Sequence, residues 1–278
     1  MVGGEYPNLR VMNQWTWHSR LYRAADYVTR HPHLELVELN SFGCGLDAVV
    51  TDQVQEIMHQ RGRLYTCLKI DQSLNLGAVR IRLRSLKAAI EERGEETGSA
   101  KPIEYPKAVF TEAMKRDKDY TILAPEMSPI HFPIIEAAVQ REGYHIEIIP
   151  PIHEDIDKGL SCVNNDACYP AIITIGSLMR ALTSGKYDLS KTAVMLSQTG
   201  GMCRASNYVG FLHKALDEAG LSDIPVISLN THGFEPQPGF HFSFSMGRRM
   251  IQAVIYGDAL QQCLYRTRPY ELSLIHIS

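Results

Sequence analysis

The chain has 278 residues, of which 45% are hydrophobic and 21% are charged, a balance typical of globular proteins and not of disordered or fibrous ones. Its 28 basic and 31 acidic residues leave a net charge of −3, so neither nucleic acid nor an anionic membrane is expected as the main partner. The longest apolar helix candidate, residues 171–182, is too short to cross a bilayer. Residues 1–9 lack the apolar run of a signal peptide, and we therefore expect a soluble, cytoplasmic protein.

The first part of the chain alternates helices and strands. Apolar residues at helical or alternating spacing predict a helix, a strand, a helix, a strand and a helix over residues 15–30, 34–39, 46–59, 64–70 and 79–90. This order favours parallel pairing of the strands with right-handed crossovers. The polar segment 91–99 offers no apolar face to bury, so we interpret it as part of a linker between domains.

The same alternation starts again after the linker. Strands are predicted over residues 120–124, 145–149, 192–197 and 225–230. Helices are predicted over residues 132–141, 171–183, 205–219 and 246–264. We therefore predict an α/β protein of two Rossmann-like units, each with a parallel sheet and flanking helices.

The composition divides the chain into five parts. They are a first α/β unit, a linker, a second α/β unit, a C-terminal helical segment and a non-native tail, over residues 1–94, 95–118, 119–240, 241–271 and 272–278. The tail looks like a translated sequencing adapter and is left out of the fold reasoning. We expect the natural chain to continue past Glu271, and the first unit to be truncated at its N-terminus.

Six cysteines in a protein expected to be intracellular favour metal or redox chemistry over a disulfide framework. Cys44 and Cys203 each follow a predicted strand and open a helix, and Cys168 directly precedes another predicted helix. The ligand crevice of an open parallel sheet lies beyond the carboxyl ends of its strands, so we expect these three thiols to meet there. Cys67 and Cys263 lie inside a predicted strand and helix, where a buried structural role fits better.

Three thiolates suit two kinds of metal centre. Structural zinc prefers close C-x-x-C pairs, which this chain lacks. A [4Fe–4S] cluster accepts ligands that are far apart in sequence, and a missing fourth cysteine leaves one iron open to water or substrate. The spacing favours the cluster but leaves both centres open. Cys162, in a polar loop before Cys168, stays ambiguous.

Several longer motifs carry a resemblance to a known family. They are NSFGCGLDA (residues 40–48), LKID (68–71), NLGA (75–78), RIRLRSL (80–86), MSPIHF (127–132), NNDACYP (164–170) and QTGGMCRA (198–205). Together they resemble the 2-hydroxyacyl-CoA dehydratase superfamily, most of all the dehydratase-like C-terminal region of acyl-CoA dehydratase activase-related proteins. The resemblance covers nearly all of residues 10–271.

The resemblance implies a [4Fe–4S] cluster held by Cys44, Cys168 and Cys203 at the interface of two α/β units. In characterised members of the family, an ATP-dependent activase injects one electron, which the cluster passes to a 2-hydroxyacyl-CoA. The resulting ketyl radical then loses its hydroxyl group as water. The resemblance thus implies a lyase-like component with an activase as partner and an acyl-CoA as substrate. The chain carries no ATPase domain of the activase type, so we expect the isolated fragment to be inactive.

Other residues of these motifs are candidates for supporting roles. Gln198, Thr199, Gly200 and Gly201 neighbour the Cys203 loop and could donate hydrogen bonds to cluster sulfur. His131 follows a predicted strand end and is a candidate proton donor to a leaving hydroxyl group. A packing role at the start of a helix fits His131 equally well.

Two alternatives from other functional classes stay open. One is a low-potential electron-transfer module without a substrate of its own. The other is a structural zinc protein without a redox role. Metal analysis after anaerobic reconstitution with iron and sulfide separates zinc from the cluster, and a spectral response to substrate separates an enzyme from an electron relay.

Overall fold

The structure is a computed structural model that describes residues 7–41, 45–70, 76–93, 103–198, 203–229 and 237–270. Over these residues the chain is an α/β protein in which parallel strands are flanked by helices. The predicted α/β class and the predicted parallel pairing are therefore confirmed. Over the same ranges, no helix combines the length and the apolar character that a membrane span requires.

The first sheet is small and parallel. Its strands are β1 (Val37–Asn40) and β2 (Thr66–Lys69). Helix α1 (Thr16–Thr29) precedes β1, helix α2 (Gly45–Gln60) joins the two strands, and helix α3 (Leu76–Arg93) follows β2. Helix α2 is mostly buried, whereas α3 contributes no buried residue. Strand β1 is covered on one face only, with Val37 and Leu39 exposed, although Leu68 of β2 is buried beside Leu39.

The second sheet has four parallel strands in the order β4-β3-β5-β6. Its elements in chain order are α4 (Glu112–Arg116), β3 (Thr121–Pro125), α5 (Phe132–Gln140), β4 (Ile146–Ile149), α6 (Glu154–Cys162), α7 (Tyr169–Thr183), β5 (Thr192–Ser197), α8 (Tyr208–Glu218), β6 (Val226–Leu229) and α9 (Phe244–Thr267). From β3 the chain adds β4 on one side and then crosses back to add β5 and β6 on the other, so the strand order reverses between β3 and β5. The carboxyl ends of these two strands are where such sheets form a ligand crevice.

Both faces of the second sheet are buried, because successive side chains of a strand point to opposite sides. Leu123 of β3 faces a core that also contains residues of α7 and α8. Its neighbours Ile122 and Ala124 face a second core that contains residues of α5 and α9. The first of these cores continues into α1 and α2, so helices of the first part of the chain share one hydrophobic core with the second sheet.

The segment before α1 ties the two parts of the chain together. Arg10 forms ion pairs with Glu56 of α2 and with Asp217 of α8, the latter at 2.8 Å. The backbone N–H of Met12 donates to the Asn207 side chain at 2.6 Å. This segment therefore lies between α2 and α8, with contacts at both ends of α8. From residue 103 onward the predicted linker is described, and Ile103 and Phe110 are buried there.

Helices α6 and α7 pack backbone against backbone. A Cβ atom on Gly176 would lie 1.9 Å from the carbonyl oxygen of Asp155, and one on Gly159 would lie 2.1 Å from that of Ile172. Only glycine permits this contact, which fixes the short loop that joins the two helices and contains Cys168. The sequence analysis did not predict α6, and Cys162 ends this helix instead of lying in a polar loop.

Candidate functional site

Cys168 lies at the N-cap of α7, where the sequence placed it. Its backbone is extended, with φ −67° and ψ 146°, and Pro170 occupies the first turn, where a proline fits without losing a hydrogen bond. The half-buried thiol lies 2.6 Å from the hydroxyl oxygen of Tyr208. The free N–H groups of a helix N-terminus favour negative charge, so this position suits a thiolate ligand.

Cys203 lies at the N-cap of a 3₁₀ turn, Arg204–Asn207, that leads directly into α8. Its exposed thiol accepts the backbone N–H of Ala205 at 3.5 Å. Its carbonyl oxygen accepts a hydrogen bond from the Gln14 side chain at 3.3 Å. The segment before α1 therefore stabilises the Cys203 turn through Gln14.

Tyr208 contacts Cys168 and begins α8, the helix that follows the Cys203 turn. Burial raises the pKa of Tyr208 well above its ordinary range, and the hydrogen bond and charge of Cys168 raise it further. Arg204 lowers the pKa of this phenol, whereas the charge of Cys203 raises it. The hydroxyl group of Tyr208 therefore keeps its proton and can donate a hydrogen bond to the Cys168 sulfur.

Cys44 lies outside the described residues, but the residue after it is described. Gly45 begins α2 and lies directly against the side chain of Arg204. A Cβ atom at Gly45 would come within 2.6 Å of Cδ of Arg204. The residue that follows Cys44 therefore touches the residue that follows Cys203, although 159 positions separate the members of each pair in the chain.

Several other predicted site residues also fall outside the described ranges. Thr199, Gly200 and Gly201 belong to this group, while Gln198 is described and lies half-buried just after β5. Within the ranges that are described, no three His, Cys, Asp or Glu side chains lie close enough together to hold a metal ion. The structure thus brings Cys168 against the first residue of α8, five positions after Cys203, and does not describe the third predicted ligand, Cys44.

His131 lies in a different environment, at the N-cap of α5. Its Nδ1 atom is 2.8 Å from the Ser128 hydroxyl oxygen, and its Nε2 atom is 3.1 Å from a carboxylate oxygen of Asp258. A Cβ atom on Gly257 would lie 2.2 Å from the imidazole ring. These contacts attach α9 to α5, and none of them involves a cysteine segment.

The remaining cysteines are spread over the fold. Cys67 is half-buried in β2, and burial raises the pKa of its thiol. Cys162 is half-buried at the end of α6, and Cys263 is exposed on α9.

An apolar cavity of about 150 Å³ lies between the second sheet and helices α5 and α9. It reaches the carboxyl ends of β3 and β5, where Pro125 and Ser197 line it. Its other lining residues are mostly large and apolar, among them Phe132, Met195 and Met246. A cavity of this size and lining accepts an apolar group of about six carbons.

A second cavity, of about 410 Å³, lies at the carboxyl ends of β1 and β2. We call it the polar pocket. It is lined by Asn40, Thr51, Gln55, Tyr65, Cys67, Lys69, Arg82, Asn164, Asn165 and Asp166. Sequence reasoning did not identify this pocket, because its residues come from five separate segments. The rule that ligands bind beyond strand ends could have found it, since Asn40 and Lys69 end the two strands.

A buried carboxyl group stands behind the polar pocket. Glu38 is 4% exposed and accepts a hydrogen bond from the Tyr65 hydroxyl at 3.0 Å. Burial raises the pKa of Glu38 from its ordinary 4.5 to about 7, and the nearby charge of Asp47 adds to this effect. Because the Tyr65 O–H group donates its hydrogen bond to Glu38, the phenol oxygen has lone pairs left to accept a hydrogen bond.

Comparison of the chain with protein-family models, with curated proteins and with solved structures gives no match in any of the three.

Proposed function

We propose that this chain binds a [4Fe–4S] cluster through Cys44, Cys168 and Cys203, as the dehydratase-like part of a 2-hydroxyacyl-CoA dehydratase and activase system. The observation that carries this proposal is the contact of Cys168 with Tyr208, the residue that begins α8 five positions after Cys203. The two thiols are 35 positions apart in the chain, yet each stands at the N-cap of a helical segment. The contact of Gly45 with Arg204 supports Cys44 as the third ligand.

The chemistry of these groups fits an iron–sulfur centre. Thiolates are the ligands that iron–sulfur clusters and zinc both prefer. A cluster with three thiolate ligands carries net negative charge, which the Arg204 guanidinium beside Tyr208 would offset. Gly45 leaves room for this arginine, since any larger residue would displace its side chain. When bound, a [4Fe–4S] cluster supplies electrons one at a time at a potential set by its surroundings.

The residues around the thiols would position and stabilise the centre. Tyr208 keeps its proton and would donate a hydrogen bond to the sulfur of Cys168. Gln14 would hold the Cys203 turn through its carbonyl group. The apolar cavity supports an acyl-CoA substrate, because it would accept a short acyl chain. In this proposal the two sheets belong to two Rossmann-like units with the cluster between them, an ATP-dependent activase supplies the electron, and the protein is cytoplasmic.

Anaerobic reconstitution with iron and sulfide tests the ligand set. We expect about four iron and four sulfide per chain in the unaltered protein. Cys168→Ser should abolish stable binding, whereas Cys263→Ser on the exposed face of α9 should retain it. Serine is nearly isosteric with cysteine, so both variants should fold and differ in ligation alone. Equal iron content in the two variants would remove Cys168 from the site.

The same preparation separates the alternatives. Zinc in place of iron would favour a structural metal protein. An EPR signal of the reduced cluster that changes on adding a 2-hydroxyacyl-CoA would favour the dehydratase. A reducible cluster with no response to any acyl-CoA would favour an electron-transfer module, for which the exposure of Cys203 gives a route to a partner.

A further inference from the structure

The polar pocket has the size and position of a ligand site in its own right. Its volume of about 410 Å³ lies within the range of small-molecule sites in proteins. It lies at the carboxyl ends of two parallel strands, where α/β proteins bind ligands. Its outer wall is the loop 164–166, which directly precedes the Cys168 segment.

An unpaired buried amide oxygen points to a missing ligand. Asn40 is 6% exposed, and the oxygen of its side-chain amide has no hydrogen-bond partner among the described residues. A buried polar atom without a partner is unfavourable, so an occupant that pairs with it would be stabilising. Gln55 and Asn165 line the same pocket with exposed side chains, whose amides can exchange water for such an occupant.

The charges of the pocket favour an anion. Lys69 and Arg82 line it together with one carboxylate, that of Asp166, which is paired with Lys69. Arg82 uses Nη1 to donate to the Cys67 carbonyl at 3.1 Å, and its side chain is otherwise exposed. Its other guanidinium N–H groups can therefore bind the two oxygens of a carboxylate or phosphate.

The hydrogen-bonding groups further restrict the ligand. Asn40 offers its unpaired acceptor oxygen, and the amides of Gln55 and Asn165 each offer an acceptor oxygen and two donor hydrogens. The phenol oxygen of Tyr65 presents lone pairs, because its O–H group donates a hydrogen bond to Glu38. An occupant must therefore donate as well as accept, as hydroxyl groups do. A bare anion would satisfy Arg82 and leave the amides unpaired.

We propose that the polar pocket binds a small hydroxylated oxyanion, with its carboxylate or phosphate on Arg82 and its hydroxyl groups on Asn40, Gln55 and Asn165. This proposal does not depend on the cluster, since none of these side chains is a proposed ligand of it. The pocket would place such a ligand beside the loop that leads into Cys168.

Calorimetric titration of the whole chain with three probes tests the proposal. The probes are glycerate, which pairs a carboxylate with hydroxyl groups, glycerol 3-phosphate, which pairs a phosphate with them, and glycerol, which has no charge. We expect one of the two anions to bind with a Kd of about 1 mM or lower, and glycerol not to bind. The tighter anion identifies the head group. Absence of binding by both anions would overturn the proposal.

Titration of two variants of α3 with the same probes tests the role of the guanidinium group. Arg82→Gln removes the guanidinium that lines the pocket, and Arg84→Gln removes an exposed one on α3 that does not line it. We expect Arg82→Gln to weaken anion binding at least tenfold and Arg84→Gln to leave it unchanged. Equal weakening in both variants would reveal a diffuse charge effect and refute the pocket.

The role of the amides has a separate readout. Propanoate has the carboxylate of glycerate without its hydroxyl groups, so the ratio of their affinities measures what the amides contribute. We expect Asn165→Ala to reduce this ratio severalfold and to leave propanoate binding unchanged; an unaltered ratio would count against the amide contacts. Titrations before and after anaerobic reconstitution keep a failure of the cluster proposal distinct from a failure of this one.

Discussion

The two sheets of this protein are built on different principles. In the four-stranded sheet both faces are covered, and Leu123 at its centre is fully buried. In the two-stranded sheet Leu39 is 66% exposed, and α3 beside it buries no residue. The second sheet therefore resembles the closed interior of an α/β domain, whereas strand β1 of the first is covered on one face only.

The buried residues of the two regions differ in polarity as well. The first region buries charged and amide groups, among them Glu38, Asn40 and the ion pair of Arg61 with Asp26 at 2.8 Å. The strands of the second sheet bury almost entirely apolar side chains. Buried polar groups cost stability unless they are paired, so proteins retain them where binding or catalysis requires them. The comparison suggests that the second sheet provides the stability and the first provides polar binding groups.

Truncating a leucine in each sheet should show the largest difference between them. Leu123→Ala leaves a cavity in a core that cannot collapse, and we expect it to lower the free energy of unfolding by about 4 kcal/mol. Leu39→Ala removes an exposed side chain, and we expect a change below about 0.5 kcal/mol. Urea denaturation of both variants measures the difference. Similar losses would mean that the Leu39 side chain is buried in solution.

Replacing the buried carboxyl group of the first sheet should stabilise the protein at high pH. The pKa of Glu38 is about 7 in the folded chain and 4.5 ordinarily, so between these values the unfolded chain ionises while the folded chain keeps the proton. The stability contributed by the neutral group is therefore present below pH 4.5 and is lost as the pH rises to about 7.

The matching variant is Glu38→Gln, which stays neutral and still accepts the hydrogen bond of Tyr65. We expect it to equal the unaltered protein near pH 4.5 and to exceed it by about 2 to 3 kcal/mol at about pH 8. Denaturation curves at the two pH values check this. A difference independent of pH would contradict the assignment of a neutral Glu38.

The contact between Tyr208 and Cys168 should have the smallest effect on stability. Tyr208→Phe removes the hydroxyl group that lies 2.6 Å from the thiol, and we expect a loss of about 1 kcal/mol. Tyr256→Phe, on an exposed position of α9, is the control and should change stability by less than about 0.5 kcal/mol. Equal effects of the two substitutions in urea denaturation would show that the thiol contact contributes nothing measurable.

Local patterns in the sequence predict much of this fold. Short runs of apolar residues identify the strands of the second sheet, and helical spacing identifies α5, α7, α8 and α9. Helix α6 was missed because Gly159 and four charged residues interrupt its apolar spacing. Its position is set by contact with Gly176 of α7, a feature of tertiary packing that no local pattern contains.

Some features of the candidate site can likewise be predicted from the sequence, and others cannot. The helix N-cap position of Cys168 follows from its neighbours Asn165 and Pro170, and the structure confirms that placement. The role of Tyr208 could not be predicted, because Tyr208 lies 40 positions from Cys168 and nothing in the sequence relates the two. The contact of Gly45 with Arg204 likewise depends on how the two sheets pack together.

The tie formed by the segment before α1 has a consequence for how the chain is made. Arg10 and Asp217 are 207 positions apart, and Met12 and Asn207 are 195 apart. At translation rates of about 5–20 residues per second, the ribosome needs about 10 to 40 s to complete this interval. During that time the start of the segment lacks its final partners on α8, and apolar residues of α2 such as Val50 and Val54 lack part of their core. Closure of this region is therefore a late event of synthesis, and nascent chains that end before α8 should be cut by protease within residues 8–60.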